Sequence, residues 1–445
     1  MAKRKNTLTE EIPTIVVGLD IGTTKIATII GYISSDGKIE VLGHGKAEST
    51  GVQHGLIYNL NRTIDGINQS VSIAKNRADC EVTNVYVGVA GRHINSSEYR
   101  HVMLRKNGRE EVIKQEEIDK MTEDLKTISV GVGEKIIDVI PQKFFIDNNT
   151  EREVIDPVGE LGERIVGFFQ LITGNESEIR KIIKCVEEAS LIPSEIILEP
   201  LASSMVCLTQ EEKKQGVVLV DIGGGTTDVA IYMDGNPVFT KVIPFGGNVI
   251  TKDISSVCQI TEEIAEKLKI HHGTCVVEKS NQNNFITIPQ FQQSDPIKIS
   301  EHYLAKIIFS RVQQDILDNV KRAIDESGYS RKIMSIVLTG GGATLRHIKE
   351  LAQYTLQKPT RIGIPDIGFS ALPPELKHPM YATGLGLLKY GTILNYQKGN
   401  VEGFEDSGTV KYTHSGEKDK PSKSIFKQFK KYISDLLDNI SEKTE

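Results

Sequence analysis

The chain has 445 residues, 39% of them hydrophobic and 25% charged, with no Trp and a formal charge of −6. That length allows several domains with sizeable buried cores, and the acidic balance argues against nucleic acid as a partner. Five cysteines (Cys80, Cys185, Cys207, Cys258 and Cys275) are odd in number and free of CxxC spacing, which excludes a disulfide scaffold and reads as a reducing, cytoplasmic setting.

Residues 1–13 are charged and polar without an apolar core, so they read as a disordered N-terminus and not as a secretory signal. Thr14 to Tyr32 is a β-branched run broken once by a glycine turn, and Ile39 to Glu48 adds a further strand. The turn is Val17-Gly18-Leu19-Asp20-Ile21-Gly22-Thr23-Thr24-Lys25. Glycine lets backbone approach a ligand without a Cβ in the way, and the freed N–H groups and Thr hydroxyls become donors to phosphate oxygens. Asp20 cannot touch phosphate directly; beside a triphosphate it calls for a cation in between, and Mg²⁺ held through its own waters suits it. Lys25 either neutralises phosphate or points to solvent.

A helix near Arg62 to Arg77 and a strand from Val82 to Val89 follow. Next come a polar turn, a charged helix from Lys114 to Leu125, and strands Lys135 to Ile146 and Arg164 to Thr173. Together they look like a small separate unit, with an idle surface insertion as the plain alternative. Asn175 to Ala189 reads as a helix returning to the first domain, and Ser194 to Leu198 as the strand that delivers Glu199.

The phosphate-holding turn then returns as Leu219-Val220-Asp221-Ile222-Gly223-Gly224-Gly225-Thr226-Thr227-Asp228. One such turn is as compatible with ordinary structure as with a ligand; two copies imply two facing halves. Phosphate would be gripped by Gly22, Thr23, Thr24 and Lys25 from one side and by Gly223, Gly224, Gly225, Thr226 and Thr227 from the other, with Asp20 and Asp221 on the metal's waters. Glu278 to Asp295 is polar and rich in Gln and Asn, and reads as a loop. His271, His272 and Cys275 suggest a metal clip only weakly, because no partner cluster exists elsewhere. A third glycine turn, Ile336 to Thr344, follows another β-branched strand and opens a helix expected from Leu345 to Tyr354; backbone at Gly340, Gly341 and Gly342 can lie flat against a base and sugar.

From Gln397 to Lys423 the composition has the signature of a flexible linker. Ile425, Phe426, Phe429, Tyr432, Ile433, Leu436, Leu437 and Ile440 then follow i, i+3, i+4, i+7 spacing, so a helix over 424–441 gathers them on one stripe, with Ser424 as N-cap and Lys427, Lys430 and Lys431 on the other face. Such a helix fits a bilayer interface; docking on its own protein or on another chain is the alternative, and Asp435 and Asp438 weigh slightly against anionic lipid.

The order of these motifs resembles the superfamily of actin, Hsp70 and sugar kinases and, within it, the bacterial cell-division family FtsA. Further segments carry the likeness: Glu199-Pro200-Leu201-Ala202-Ser203-Ser204; Phe245 to Ile254 followed by Ala265-Glu266-Lys267-Leu268-Lys269; and Ala382-Thr383-Gly384-Leu385-Gly386-Leu387-Leu388, over roughly Ile15 to Tyr396. The resemblance implies an α/β, actin-like (ribonuclease H-like) fold of duplicated domains around a cleft for ATP and Mg²⁺. Glu199 would position the attacking water, Glu266 and Lys269 would reach the adenosine together with Thr339 to Gly342, and Ala382 to Leu388 would be a connecting helix.

The implied layout is subdomain 1A over 14–81 and 175–213, an inserted 1C-type unit over 82–174, 2A over 214–253 and 331–396, 2B over 254–330, then the linker and a membrane-targeting helix. Its implied partners are the C-terminal peptide of the tubulin-like protein FtsZ at 2B, where Arg311, Lys321, Arg322, Arg331 and Lys332 could attract an acidic segment, other division proteins through 1C, further copies of itself, and the cytoplasmic face of the membrane at the septum. Members of this family are often poor ATPases, so turnover is not implied. Three rivals share the fold: an Hsp70-type chaperone lacks its peptide-binding domain here, a sugar or acetate kinase lacks an acceptor pocket, and a PilM-type pilus-assembly protein leaves the terminal helix unexplained.

Overall fold

The computed structural model describes residues 15–34, 37–106, 111–147, 152–288 and 296–399. The first half runs β1 (Val16–Ile21), β2 (Lys25–Ile33), β3 (Ile39–Glu48), a short pair β4 (Val52–Gln53) and β5 (Leu56–Ile57), α1 (Leu60–Ala78) and β6 (Asn84–Val89). It continues with β7 (Ile94–Leu104), α2 (Gln115–Lys126), β8 (Glu134–Ile146) and β9 (Arg164–Asn175), and returns through α3 (Glu176–Glu188), β10 (Ile192–Leu198) and α4 (Glu199–Cys207). The second half comprises α5 (Gln210–Gln215), β11 (Val217–Ile222), β12 (Thr227–Met233), β13 (Asn236–Ile243), α6 (Gly247–Cys258), α7 (Glu262–His272), β14 (Phe285–Ile288), β15 (Ile297–Ser300) and α8 (Glu301–Arg311). A π-helical segment, Val312–Leu317, leads into α9 (Asp318–Glu326), β16 (Ser335–Thr339), α10 (Ile348–Leu356), β17 (Thr360–Ile362) and α11 (Ala382–Gly399).

Two five-stranded sheets, β10-β6-β1-β2-β3 and β13-β12-β11-β16-β17, share one plan. In each, the first strand of the half pairs antiparallel with the second and parallel with a later strand across a helical crossover. β1 and β11 are buried along their whole length, which is why both read as unbroken apolar runs and not as alternating ones. Between the sheets, α4 and α11 cross from one half to the other. Ala202, Met205, Val206, Leu385, Leu387 and Leu388 on these helices pack with Ile29 and Tyr86 of the first half and Leu219, Tyr232 and Val337 of the second in one core. Small residues set the closeness: a Cβ on Gly386 would lie 2.0 Å from the Ala202 carbonyl, and one on Gly18 would lie 2.6 Å from the Gly384 carbonyl.

β7, β9 and β8 form a separate antiparallel sheet, with α2 closing its core over Ile118, Met121, Phe144, Ile165 and Phe169. The stretch expected to be a polar turn is thus strand β7, paired with β9 over eleven positions. Ser96, Ser97, Glu98, Arg100 and His101 leave it without an apolar alternation, so only the ladder reveals it. The preceding strand, β6, sits between β1 and β10 in the main sheet, so a unit starting at Val82 begins too early. Its base also meets the second half: Gln142 Nε2 donates to the Pro237 carbonyl at 2.7 Å, and Val242 of β13 packs with Ile94, Ile140 and Ile172.

Two other expectations change. The Glu278 to Asp295 loop contains β14, which pairs with β15 as a hairpin. The helix expected at Leu345 starts at Ile348, because Gly341–Thr344 forms a 3₁₀ turn and His347 takes φ 65°. α11 continues through Gly399, into the start of the expected linker; the rest of that linker and the amphipathic stretch over 424–441 lie outside the described residues. Among the described residues no helix is long and apolar enough to cross a membrane.

Candidate functional site

The two glycine turns close the hairpins β1–β2 and β11–β12 in the same way. Gly22 N–H donates to the Lys25 carbonyl at 3.0 Å, and Gly223 N–H donates to the Thr226 carbonyl at 2.9 Å. They face each other across the cleft between the two halves, with Ser203 of α4 and Thr383 of α11 against Asp221. A Cβ on Gly224 would stand 1.8 Å from Thr24 Oγ1, and one on Gly225 would stand 2.5 Å from Thr23 Oγ1, so glycine alone permits this approach. His54 Nδ1 lies 3.1 Å from the Gly225 carbonyl and Thr24 Oγ1 lies 3.5 Å from Asn248 Oδ1, adding polar contacts between the halves.

Acidic groups line this cleft. Asp20, Asp221 and Asp228 are 3%, 7% and 4% exposed, and Glu199 opens the first turn of α4, leaning on Gly88 of β6. Lys25 is ion-paired with Asp20, so it faces the cleft and not solvent. Burial works against the Lys25 charge, but Asp20, helped by Glu199 and Asp221, outweighs it and raises its pKa. Burial holds the Glu199 carboxyl well above the usual range, and the charges of Asp20, Asp228 and Asp221 push the same way against Lys25. Asp221 is raised by burial and Asp20, with a hydrogen bond from Ser203 opposing. Burial next to Asp221 pushes Asp228 up to about 8.

This surplus of carboxyls over cations is the condition a bound cation relieves. Asp228 Oδ1 is buried without a hydrogen-bond partner, an acceptor that a hydrated ion could satisfy. A cluster of three protein ligands is not needed for this: Mg²⁺ keeps several of its waters and is held through one or two carboxylates. The residues therefore fit a hydrated divalent cation. Of the weakly suggested clip at His271, His272 and Cys275, Cys275 is fully buried, and burial pushes its thiol up to about 12.

Asp228 was given no role from sequence. The signal for it is register: it stands directly across the ladder from Asp221, the position Ala27 occupies opposite Asp20.

The third turn and α7 both flank the second glycine turn, the one against Asp221 and Ile222 and the other through Gly247. Gly340 takes φ 82°, and a Cβ there would meet Asp221 Oδ1 at 2.3 Å; one on Gly342 would meet Ile222 Cγ2 at 2.3 Å. Gly341 alone of the three faces open space, its nearest neighbour being Met380 at 3.9 Å. Glu266 and Lys269 lie together on α7, 2.6 Å apart, and both bond Thr251 of α6. Lys269 also donates to the Gly247 carbonyl and is 7% exposed, so it is committed to α6, while Glu266 is the more open of the pair. Beside the turn opens a cavity of about 500 Å³, lined in part by Thr344, His347, Ile348, Ile362, Lys377 and His378. Farther out, Arg311 is neutralised by Asp253 and Asp315 at 2.9 and 3.2 Å, whereas Lys321, Arg322, Arg331 and Lys332 are exposed.

Known proteins share this arrangement. The fold resembles that of the PilM–PilN type IV pilus biogenesis complex, with a TM-score of 0.61 at 14% identity, covering 85% of this chain and 98% of that one. It also resembles MreB 5 of Spiroplasma citri bound to AMPPNP, with a TM-score of 0.52 at 16% identity, covering 88% and 100%. In sequence, residues 218–386 match the family model described as cell division protein FtsA, and residues 91–173 match the SHS2 domain inserted in FtsA. The cell division protein FtsA of Neisseria meningitidis serogroup B is 36% identical over 372 residues, which is 83% of this chain and 88% of that protein. Those of Borreliella burgdorferi and Escherichia coli K12 are 33% and 32% identical, over 84% and 85% of this chain and 90% of each relative. With its duplicated actin-like halves and its inserted SHS2 unit, the chain belongs to the FtsA family of cell division proteins.

Proposed function

We propose that this cell-division protein binds ATP with Mg²⁺ in the cleft, self-assembles, and tethers FtsZ filaments to the inner face of the cytoplasmic membrane at the septum. The observation that carries the nucleotide part is the pair of facing glycine turns over a buried acidic set with one unpartnered carboxylate oxygen. Gly22, Thr23 and Thr24 would donate to phosphate oxygens from the first half, and Gly223 to Thr227 from the second. Asp20, Asp221 and Asp228 would accept from the waters of the cation, whose contribution when bound is to neutralise the phosphates. Lys25 supplies the fixed positive charge on the first side. Glu199, at the start of a crossing helix, is the group assigned to orient water toward the terminal phosphate. Gly341 and Glu266 are the adenosine end, with Thr339, Gly340, Gly342 and Lys269 as its frame.

Partner contacts rest on the family and on surface chemistry. An acidic FtsZ tail would meet the second half through Lys321, Arg322, Arg331 and Lys332, since Arg311 is already paired. Other division proteins are assigned to the SHS2 unit. The membrane part rests on the stripe from Ile425 to Ile440, in which each buried apolar side chain contributes at most about 1.5–3 kcal/mol, less the cost of ordering the helix. One copy then binds reversibly, and an assembled row binds firmly through avidity, which ties self-assembly to attachment.

Vesicle co-sedimentation separates these elements. The full chain should pellet with anionic vesicles, more so with Mg-ATP, while a chain ending at Tyr396 should stay in the supernatant. Pelleting of neither would remove the membrane tether and favour a tail that docks on protein.

A further inference from the structure

Asp221 is gripped from three segments of the chain. Its Oδ2 accepts from Ser203 Oγ at 2.6 Å and from Thr383 Oγ1 at 3.4 Å, and these two hydroxyls lie 3.1 Å apart. Its Oδ1 lies where a side chain on Gly340 would be, 2.3 Å from the missing Cβ. Ser203 is 0% and Thr383 8% exposed, so water does not stand in for either hydroxyl. Ser203 belongs to α4 and Thr383 to α11, the two helices that cross between the halves, whereas Asp221 belongs to the second sheet.

The proton inventory closes. Each hydroxyl has one proton. Ser203 gives its proton to Asp221, and Thr383 gives its own to Asp221 or to Ser203. Each acts on the site through the carboxylate.

We propose that Ser203 and Thr383 are positioning residues for the cation site: from the two crossing helices they hold the Asp221 carboxylate in one orientation. The inference rests on the nucleotide and cation assignment above.

The test is calorimetric titration of the full chain with ATP, once in Mg²⁺ and once in EDTA. Ser203→Ala should reduce the Mg²⁺-dependent gain in affinity by about tenfold, the size expected for one lost hydrogen bond to a charged group, with affinity in EDTA changed by less than about twofold. Thr383→Val, of nearly unchanged volume, should act in the same direction, and Thr383→Ser, which keeps the hydroxyl, should restore the gain. Thermal melting without ligand identifies a variant that has lost its fold, in which case the Thr383 pair carries the test. Equal losses in Mg²⁺ and EDTA, or no loss, would overturn the positioning role while leaving the nucleotide assignment intact. A wild-type chain that binds no ATP in either buffer would overturn both.

Discussion

The two phosphate turns share a backbone and differ in charge. Lys25 in the first occupies the place of Thr226 in the second, as the carbonyl partners of Gly22 and Gly223 show, and Ala27 occupies the place of Asp228 in the ladder. The first turn therefore holds one carboxylate and one ammonium and is nearly neutral, while the second holds two carboxyls with hydroxyl donors only. On the proposed assignment the shared backbone serves phosphate, and the second turn carries the larger need for a cation.

Breaking that asymmetry at Lys25 should have the largest effect. Lys25→Met leaves Asp20 buried and uncompensated, and should cost about 3–5 kcal/mol in unfolding measurements without ligand; Thr226→Ala, at the matching place, should cost about 1 kcal/mol. Backing of the second turn comes next. A Cβ on Gly246 would lie 2.6–2.8 Å from the carbonyls of Gly223, Gly224 and Thr226, whereas one on Gly22 meets only the Lys25 carbonyl at 3.0 Å. Gly246→Ala should therefore destabilise by about 2–3 kcal/mol, and Gly22→Ala by under about 1 kcal/mol.

Both turns hang on the same crossing helices, so a change at the hinge separates hinge from turns. Lys389 of α11 donates to the Met205 and Ile367 carbonyls at 2.9 and 2.8 Å, and burial, with Lys213 adding to it, lowers its pKa to about 7. Between pH 7 and 10 the unfolded chain binds the proton that the folded chain has shed, so stability rises with pH in that window. The slope approaches about 1.4 kcal/mol per unit. Lys389→Met should remove its share of this rise, leaving that of Lys213, which burial lowers to about 8, and leave nucleotide affinity unchanged, as read from denaturation midpoints at pH 7 and 9. Smallest is Asp228→Asn, which makes the second turn more like the first: it should stabilise the ligand-free chain by under about 1 kcal/mol while weakening the response of melting temperature to Mg²⁺.

The turns were legible in sequence because glycine, threonine and aspartate at fixed spacing leave few alternatives. Asp228 was not, since its place is defined by cross-strand register with Asp221, which spacing along one strand does not state. Strand β7 was missed for a related reason: its Ser, Glu, Arg and His residues carry no period, and it exists because β9 lies beside it. The third turn shows the converse limit. Its glycines announced a close approach, but two of the three make room for Asp221 and Ile222, so the approach they announce is largely of protein to protein. Arg311, read as a cation for an acidic segment, is committed to Asp253 and Asp315.

The central claim is that the neutral and the acidic turn together hold a nucleotide through one cation, and titration of the full chain with ATP tests it most directly. One site per chain is expected, with affinity falling by at least about tenfold when Mg²⁺ is replaced by EDTA and again in an Asp20→Asn variant. Absence of binding, or binding of equal strength in both buffers, would contradict it.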